Sequence, residues 1–149
     1  MPQHELSGVY AAAVTPLKND FSPDIRGLNK LLEFLAQRGC HGALLLGTTG
    51  EGPSFSTEER KLIWQTAAQA RKAFPEFRLM AGTGSPSISE TINLNNAAFD
   101  FGFDAVVTLP PYYYRNATET GLHKWFEEVI EKSVPEDRVL LGYHIPQVT

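Results

Sequence analysis

The sequence predicts an α/β fold built on a parallel sheet, and three observations support this prediction. Five short apolar segments recur along the chain, and segments with helical periodicity lie between them. The apolar segments are nearly continuous rather than alternating, which is typical of parallel strands that are buried on both faces. Helix-start signals precede three of the helical segments. The resulting βαβαβαβαβ order requires a parallel sheet that is covered by helices.

The predicted strands are spaced through the whole chain. They are Val9–Val14, Ala43–Leu46, Arg78–Gly82, Ala105–Leu109 and Val139–Tyr143. Between them, apolar side chains recur three or four residues apart, which is the spacing of one helix face. These stripes are Leu28, Leu31, Leu32 and Leu35; Ile63, Ala67, Ala70 and Phe74; and Leu122, Phe126, Val129 and Ile130. We expect each stripe to face the core rather than to bind a cofactor.

Capping residues indicate where three helices begin. Ser22-Pro23 predicts an N-cap serine followed by proline at the first helical position. Ser56…Glu59 and Ser87…Glu90 both have the spacing of a capping box, in which the two side chains bond each other's backbone N–H groups.

Two architectures fit this order of elements. A doubly wound sheet of five strands suits a chain of 149 residues. A (β/α)8 barrel needs about 250 residues, so the chain would supply only strands 1–5 and helices 1–4. Two observations favour the barrel: no helix follows the fifth predicted strand, and polar motifs follow strands two, four and five. A barrel collects its active site from the carboxyl ends of many strands.

The most informative motif is Gly47-Thr48-Thr49-Gly50-Glu51, which directly follows the second predicted strand. Flanking glycines allow the backbone to approach a ligand closely. Amide N–H groups and threonine hydroxyls at the carboxyl end of a strand can together bind a small carboxylate. An ordinary loop, in which the threonines satisfy local backbone groups, fits the motif equally well. We expect Glu51 to stabilise the loop or the helix start that follows.

Composition limits the classes of partner. The formal net charge of −4 gives no electrostatic basis for binding nucleic acid. No apolar run approaches the roughly 20 residues that span a membrane, so we expect no membrane partner. Cys40, the single cysteine, cannot form an internal disulfide, and the amino terminus lacks a signal pattern; both favour the cytoplasm. Cys40 reads as a small core residue, and Cys40-His41 lacks the spaced ligands that a metal site requires.

Six segments together resemble a known family in their order and spacing. They are Gly8–Pro16, Gly47–Glu51, Ser56–Arg60, Ala81–Gly84, Pro110–Tyr113 and Gly142–Pro146. The chain thus resembles the superfamily of dihydrodipicolinate synthase and N-acetylneuraminate lyase, which are pyruvate-dependent class I aldolases. The resemblance implies a (β/α)8 TIM barrel, of which residues 1–149 form the N-terminal part of a single domain that is interrupted before strand six. It also implies a homo-oligomer, either a tetramer or a dimer.

The resemblance further implies a carbon–carbon or carbon–oxygen lyase. Such an enzyme joins pyruvate, or another 2-keto acid, to an aldehyde or separates the two. It works through a lysine Schiff base and needs no cofactor. Thr48 and Thr49 match the pair that binds the pyruvate carboxylate. Tyr143 matches the tyrosine that moves protons to and from the carbinolamine. Thr48 and Tyr113 match its relay partners, and the counterpart of Tyr113 reaches in from a neighbouring subunit. Without the resemblance, Tyr112–Tyr114 also fits an aromatic interface cluster.

Three features depart from the family pattern. None of the six lysines ends a predicted strand, so the Schiff-base lysine is expected beyond Thr149. Val148 stands where the synthases carry an arginine for the carboxylate of the aldehyde, a contact that valine cannot make. His144 stands where asparagine is common.

Three interpretations of these departures stay open. The missing arginine favours an aldolase for another substrate over a synthase proper that uses aspartate semialdehyde. The missing lysine also admits a non-catalytic keto-acid-binding or scaffold protein. We expect the chain to be a fragment, because a half-barrel leaves an apolar sheet edge unpaired.

Overall fold

The computed structural model describes residues 6–114 and 116–147. All five predicted strands form close to their predicted bounds, and four helices connect them. The strands are β1 (Tyr10–Ala12), β2 (Gly42–Leu45), β3 (Arg78–Gly82), β4 (Ala105–Thr108) and β5 (Val139–Gly142). The helices are α1 (Ile25–Gln37), α2 (Thr57–Ala70), α3 (Ile88–Asp100) and α4 (Glu119–Ser133). Short 3₁₀ turns span Gly52–Ser54 and Arg71–Ala73.

The order of the strands distinguishes between the two architectures. The sheet runs β1-β2-β3-β4-β5, and every neighbouring pair is parallel. A doubly wound sheet reverses its order part-way across, which places helices on both faces. Here each right-handed crossover advances in the same direction, so all the helices lie on one face. This arrangement is that of the first five strands and four helices of a (β/α)8 barrel.

The hydrophobic core lies between the sheet and the helices. Ala43, Leu79 and Val106 face it from successive strands and are fully buried. On the helix side, Trp64 of α2 packs edge-on against Phe103, with 6.1 Å between the ring centroids. Because burial of each large apolar side chain contributes about 1.5–3 kcal/mol, this layer is the main source of stability.

The predicted helix stripes supply most of the helix side of this core. The stripes on α1 and α2 are confirmed, since Leu28, Leu32, Ile63 and Ala67 are buried. On α4, Val129 is fully buried. Its neighbour in the predicted stripe, Ile130, is instead 44% exposed. That part of the stripe was wrong, because adjacent helical residues point about 100° apart and only one of this pair can face the sheet.

The capping box at the start of α2 is confirmed. The Ser56 hydroxyl accepts a hydrogen bond from the Glu59 backbone N–H, and the Glu59 carboxylate accepts one from the Ser56 backbone N–H at 2.9 Å. Ser87 likewise caps α3 by accepting from the backbone N–H of Glu90. The Glu90 side chain does not return to Ser87, so the second predicted box forms only in part.

The predicted start of α1 was wrong by two residues. Asp24, not Ser22, is the N-cap, and its carboxylate accepts a hydrogen bond from the Gly27 backbone N–H at 3.0 Å. Pro23 lies outside the helix, where it forms an isolated antiparallel bridge with Leu17. The aspartate is held in place because its own backbone N–H donates to the Pro16 carbonyl at 2.8 Å.

A polar cluster fastens the amino end of β3 to the turn before β4. The Arg71 guanidinium donates to the Asp104 carboxylate and to the Gly102 carbonyl, both at 2.8 Å. The same Asp104 oxygen accepts the Leu79 backbone N–H at 2.8 Å. This cluster joins the end of α2 to two strands, and it lies at the opposite end of β3 from the loops that follow the strands.

Within residues 6–114 and 116–147, no helix combines the length and the apolar character needed to cross a bilayer. In the same residues, no group of three or more His, Cys, Asp and Glu side chains is arranged to hold a metal ion. Cys40 is a free thiol that packs partly buried against the core, as predicted.

Candidate active site

A cavity of about 190 Å³ opens at the carboxyl ends of β2 to β5. Apolar side chains such as Leu46, Val107 and Leu109 form most of its wall. Three residues with hydroxyl groups, Thr48, Tyr112 and Tyr143, also line it. Pockets for drug-sized ligands measure roughly 300–1,000 Å³, so this cavity suits a small metabolite.

A larger groove lies elsewhere on the molecule. It measures about 430 Å³ and runs between α1 and α2 towards the amino end of β3. Its wall comes from helix side chains rather than from the loops after the strands. In parallel α/β folds, ligands bind at the carboxyl ends of the strands, so the smaller cavity is the better candidate.

The loop after β2 brings Thr48 to the cavity. The chain leaves the strand at Leu46, whose backbone is left-handed with φ of 57°. Beyond it, the Glu51 backbone N–H donates to the Thr48 carbonyl at 3.1 Å and closes a tight turn. The Thr15 hydroxyl, from the loop after β1, donates to the Gly50 carbonyl at 2.7 Å. The turn is therefore held by its own backbone and by the neighbouring loop.

Tyr143 reaches the cavity because it continues the alternation of β5. Its backbone N–H donates to the Thr108 carbonyl at 2.9 Å, which extends the pairing with β4 by one residue. Leu140 packs into the core on the helix side. Since successive strand residues point to opposite faces, Leu141 and Tyr143 lie on the face of the sheet that is turned away from the helices. The structure thus brings Tyr143 and Thr48 to one cavity, as the sequence predicted.

Two other residues from the predicted site lie elsewhere. Tyr113 is 75% exposed and packs edge-on against Tyr114, with ring centroids 5.2 Å apart. Thr49 is also exposed, and neither residue lines the cavity of this chain. An exposed Tyr113 is compatible with the expected reach into a neighbouring subunit. The roles of Tyr113 and Thr49 stay predictions, and Val148 lies outside the described residues.

Arg60 is a residue of the cavity wall that the sequence analysis did not identify. It is only 5% exposed, and it is the charged residue among those that line the cavity. Its Nε donates to the Phe55 carbonyl at 3.2 Å, and its Nη1 donates to the Gly84 carbonyl at 3.4 Å. Burial lowers the pKa of the Arg60 guanidinium, while the Tyr112 hydroxyl and the Glu90 carboxylate oppose this effect.

The sequence did contain a signal for Arg60. Arg60, Ile63, Trp64 and Ala67 follow the i, i+3, i+4, i+7 spacing of the buried face of α2. A charged residue on an otherwise apolar face is almost never fully buried without a specific partner. The helix pattern therefore singles out Arg60 as a charged residue on a buried helix face.

Glu90 joins the starts of two helices beside the cavity. Its carboxylate oxygens accept hydrogen bonds from the Ser85 hydroxyl at 2.5 Å and from the Thr57 hydroxyl at 2.7 Å. These two hydrogen bonds, and then the attraction of Arg60, lower the pKa of Glu90 below its ordinary value. The network connects the first turn of α2 to the loop after β3.

Comparison with known protein families agrees with the fold and with the motifs that form the cavity. The model of the Dihydrodipicolinate synthetase family matches residues 5–149, which is nearly the whole chain. The chain belongs to the dihydrodipicolinate synthetase family. The resemblance inferred from six short segments is thereby confirmed.

Several relatives within this family have assigned names. An uncharacterized DapA-like lyase of Chloroflexus aurantiacus is 42% identical over 146 residues, which cover 97% of this chain and 48% of that protein. A 4-hydroxy-tetrahydrodipicolinate synthase of Methanothrix thermoacetophila is 37% identical over 142 residues, which cover 95% of this chain and 45% of that protein. The chain therefore spans slightly less than half the length of these relatives.

Solved structures of family members share the fold. YagE, a prophage protein of the dihydrodipicolinic acid synthase family from E. coli K12, was solved in complex with pyruvate. The two structures superpose with a TM-score of 0.88 at 28% identity, and the match covers 97% of this chain and 47% of the YagE chain. N-acetylneuraminate lyase from Mycoplasma synoviae gives a TM-score of 0.82 at 31% identity, over 95% of this chain and 47% of its own. Family members of both the synthase and the lyase type thus share this half-barrel.

The lysines of this family member lie away from the cavity. All six are described; they occupy the loop after β1, the 3₁₀ turn after α2, and positions on α1, α2 and α4. None of them lines the cavity. Any lysine that forms a Schiff base at this cavity must therefore come from outside residues 1–149.

Proposed function

We propose that this chain forms the amino-terminal half of the active site of a Schiff-base aldolase or lyase that acts on pyruvate or a similar 2-keto acid. The observation that carries the proposal is the shared cavity of Thr48 and Tyr143, which follow the second and the fifth strand of the sheet. Membership of a family whose named relatives include lyases and synthases supports it. So does the pyruvate complex of a structurally similar family member.

In the proposed site, the loop of Thr48 and Thr49 binds the carboxylate of the keto acid. Hydroxyl and backbone N–H groups donate to the carboxylate oxygens and hold the ketone in one orientation towards the amine. Fixing the two reacting groups in this way removes much of the entropic part of the barrier. The tight turn around Gly50 keeps these donors in place before the substrate arrives.

Tyr143 acts as the proton carrier of the proposed reaction. The lysine amine adds to the ketone carbon and gives a carbinolamine, which loses water to form the imine. Loss of a proton from the adjacent methyl carbon gives an enamine, and this carbon attacks the carbonyl carbon of the aldehyde. A phenol hydroxyl both donates and accepts hydrogen bonds, so Tyr143 with Thr48 can pass each proton along without leaving an isolated charge.

Trapping of the imine tests the proposal. The complete protein is treated with borohydride in the presence of saturating pyruvate, and the digest is analysed by mass spectrometry. We expect a reduced pyruvate adduct on a single lysine, and no adduct when pyruvate or borohydride is omitted. If pyruvate binds in calorimetry but no adduct forms, the chain belongs to a keto-acid-binding protein rather than to an aldolase.

A synthase proper is the narrower candidate, because several similar family members are named 4-hydroxy-tetrahydrodipicolinate synthase. The valine at position 148 argues against it, since it cannot pair with the carboxylate of aspartate semialdehyde. Condensation of pyruvate with aspartate semialdehyde by the complete protein would support the synthase. We also propose assembly into a homo-oligomer, which is supported by the exposed aromatic pair of Tyr113 and Tyr114.

A further inference from the structure

Arg60 carries a buried positive charge that the proposed reaction has not used. Its side chain contacts the carbonyls of Phe55 and Gly84 and the hydroxyl of Tyr112, all of which are neutral groups. Among the described residues, no carboxylate forms an ion pair with it. Glu90 attracts it from a greater distance.

This arrangement is unfavourable unless something compensates the charge. A cation that is removed from water needs an opposite charge or a full set of hydrogen bonds. The guanidinium has five N–H donors in a planar fork; two of them donate to the backbone carbonyls, and Tyr112 is a further hydrogen-bond partner. The oxygens of Glu90 are already engaged by Ser85 and Thr57. An anion in the cavity would compensate the charge of Arg60 and accept hydrogen bonds from its remaining N–H groups.

We infer that Arg60 binds a second carboxylate in the cavity, which belongs to the aldehyde substrate. The inference rests on the proposed function, in which the loop of Thr48 and Thr49 takes the carboxylate of the keto acid. Arg60 comes from α2 and lines the same cavity. Its planar fork matches the two oxygens of a carboxylate. The aldehyde is therefore a carboxylated one, and Arg60 supplies the contact that Val148 cannot.

A pair of aldehydes with carbon chains of equal length separates this role from a purely structural one. Turnover of the complete protein with pyruvate is measured with succinic semialdehyde, which carries a carboxylate, and with butanal, which does not. For Arg60→Met we expect the ratio of kcat/KM for succinic semialdehyde to kcat/KM for butanal to fall at least about tenfold, because loss of the contacts with Phe55 and Gly84 affects both aldehydes alike. Arg60→Lys should recover part of the loss, because it keeps the charge without the fork.

Arg71→Met is the matched control, since it removes a guanidinium that contacts Asp104 and Gly102 away from the cavity. It should lower thermal stability without changing the ratio of the two kcat/KM values. If Arg60→Met reduces turnover of both aldehydes equally, or of neither, the anion-binding role is wrong. Borohydride should still trap pyruvate in Arg60→Met, because that step needs no second carboxylate.

An equilibrium measurement keeps the inference testable if the wild-type protein forms no Schiff base. Calorimetric titration with succinate, an unreactive dicarboxylate, measures anion binding alone. We expect succinate to bind the wild type and Arg71→Met alike, and to bind Arg60→Met at least about tenfold more weakly. Equal binding to all three proteins, or no binding to the wild type, would overturn the role of Arg60 independently of the aldolase reaction.

Discussion

Gly82 on β3 packs directly against the backbone carbonyl of Leu46, where the chain leaves β2. A Cβ atom placed on Gly82 would lie 2.2 Å from the Leu46 oxygen, and one placed on Gly52 would lie equally close to it. Both glycines therefore touch the residue whose left-handed backbone starts the loop of Thr48. The position of the loop that carries Thr48 therefore depends on the absence of a side chain at both glycines.

Substitution of Gly82 by alanine should move this loop. Because the neighbouring atoms are backbone, the clash cannot be relieved by rotating a side chain. We expect a loss of about 1–3 kcal/mol in the free energy of unfolding, which is the usual cost of overpacking. Denaturant unfolding measures the loss. The affinity for pyruvate should fall as well, since Thr48 is displaced.

Gly142→Ala is the control for this substitution, because a Cβ at Gly142 meets nothing within 4 Å. It also lies in a strand, β5, but it is exposed there, so it shows the effect of replacing a strand glycine without the backbone clash. Its unfolding free energy should stay within about 0.5 kcal/mol of the wild type. Equal destabilisation by the two alanines would contradict the packing role that we assign to Gly82.

The strands and most helix starts could be predicted because their signals are local. Apolar runs such as Ala105–Leu109 and the Ser56…Glu59 box are complete within a few residues. The start of α1 shows the limit of such signals, since Ser22 and Asp24 are both good N-caps. A hydrogen bond from Asp24 to Pro16 decides between them, and that contact depends on the path of the preceding loop.

The candidate site was predicted where one strand end determines the position of a side chain. Thr48 lies in the loop after β2 and Tyr143 directly follows β5, so the topology alone places them at one end of the sheet. Arg60 reaches the cavity from α2, across the loop that follows the strand. Its position depends on contacts with Gly84, which is distant in sequence. The pattern of α2 marks Arg60 as a charged residue on a buried helix face, but it does not show which loop the side chain contacts.

Tyr143→Phe tests the proton carrier. Removal of one hydroxyl leaves the apolar ring in the cavity wall, so the fold should persist. Loss of general acid–base assistance lowers turnover by about 10²- to 10⁴-fold, and we expect the fall in kcat with little change in KM for pyruvate. Steady-state kinetics measure both values.

Tyr114→Phe, on an exposed tyrosine outside the cavity wall, should retain activity within about threefold. A similar kcat for Tyr143→Phe and the wild type would remove this tyrosine from the mechanism.

Mixed assemblies test whether Tyr113 acts in a neighbouring subunit. The Tyr113→Phe and Tyr143→Phe proteins should each be nearly inactive alone. If Tyr113 crosses an interface, a mixed dimer contains one site with both tyrosines. Unfolding and refolding the two proteins together should then restore roughly a quarter of wild-type activity, since half of randomly paired dimers are mixed. No recovery would place both tyrosines in the same subunit's site, and a Tyr113→Phe protein that is active alone would exclude Tyr113 from catalysis.

Asp104→Ala tests the cluster that fastens β3 and β4 at their amino ends. The change leaves Arg71 without its carboxylate and the Leu79 backbone N–H without its acceptor. Unsatisfied groups of this kind cost about 1–3 kcal/mol, which chemical denaturation can resolve. Glu58→Ala removes an exposed ion pair with Lys61, of 3.6 Å, and should cost less than about 1 kcal/mol. Comparable losses in the two variants would mean that the cluster contributes no more than a surface pair.

The hydrogen bonds of Glu90 predict how stability varies in acid. Ser85 and Thr57, followed by Arg60, lower the pKa of Glu90 in the folded protein below its ordinary value of 4.5. A carboxyl group with a lowered pKa stabilises the fold fully above its unfolded pKa, and this contribution is lost as the pH falls through the folded value.

The wild type should therefore lose stability below pH 4.5 more steeply than Glu90→Gln does. The gap between the two unfolding free energies should be widest near neutral pH and should close in acid. Ser85→Ala removes the strongest of these hydrogen bonds and should show a partial form of the same behaviour. Parallel stability curves for the wild type and Glu90→Gln from neutral pH to pH 3 would mean that the carboxylate contributes nothing to the junction of α2 and α3.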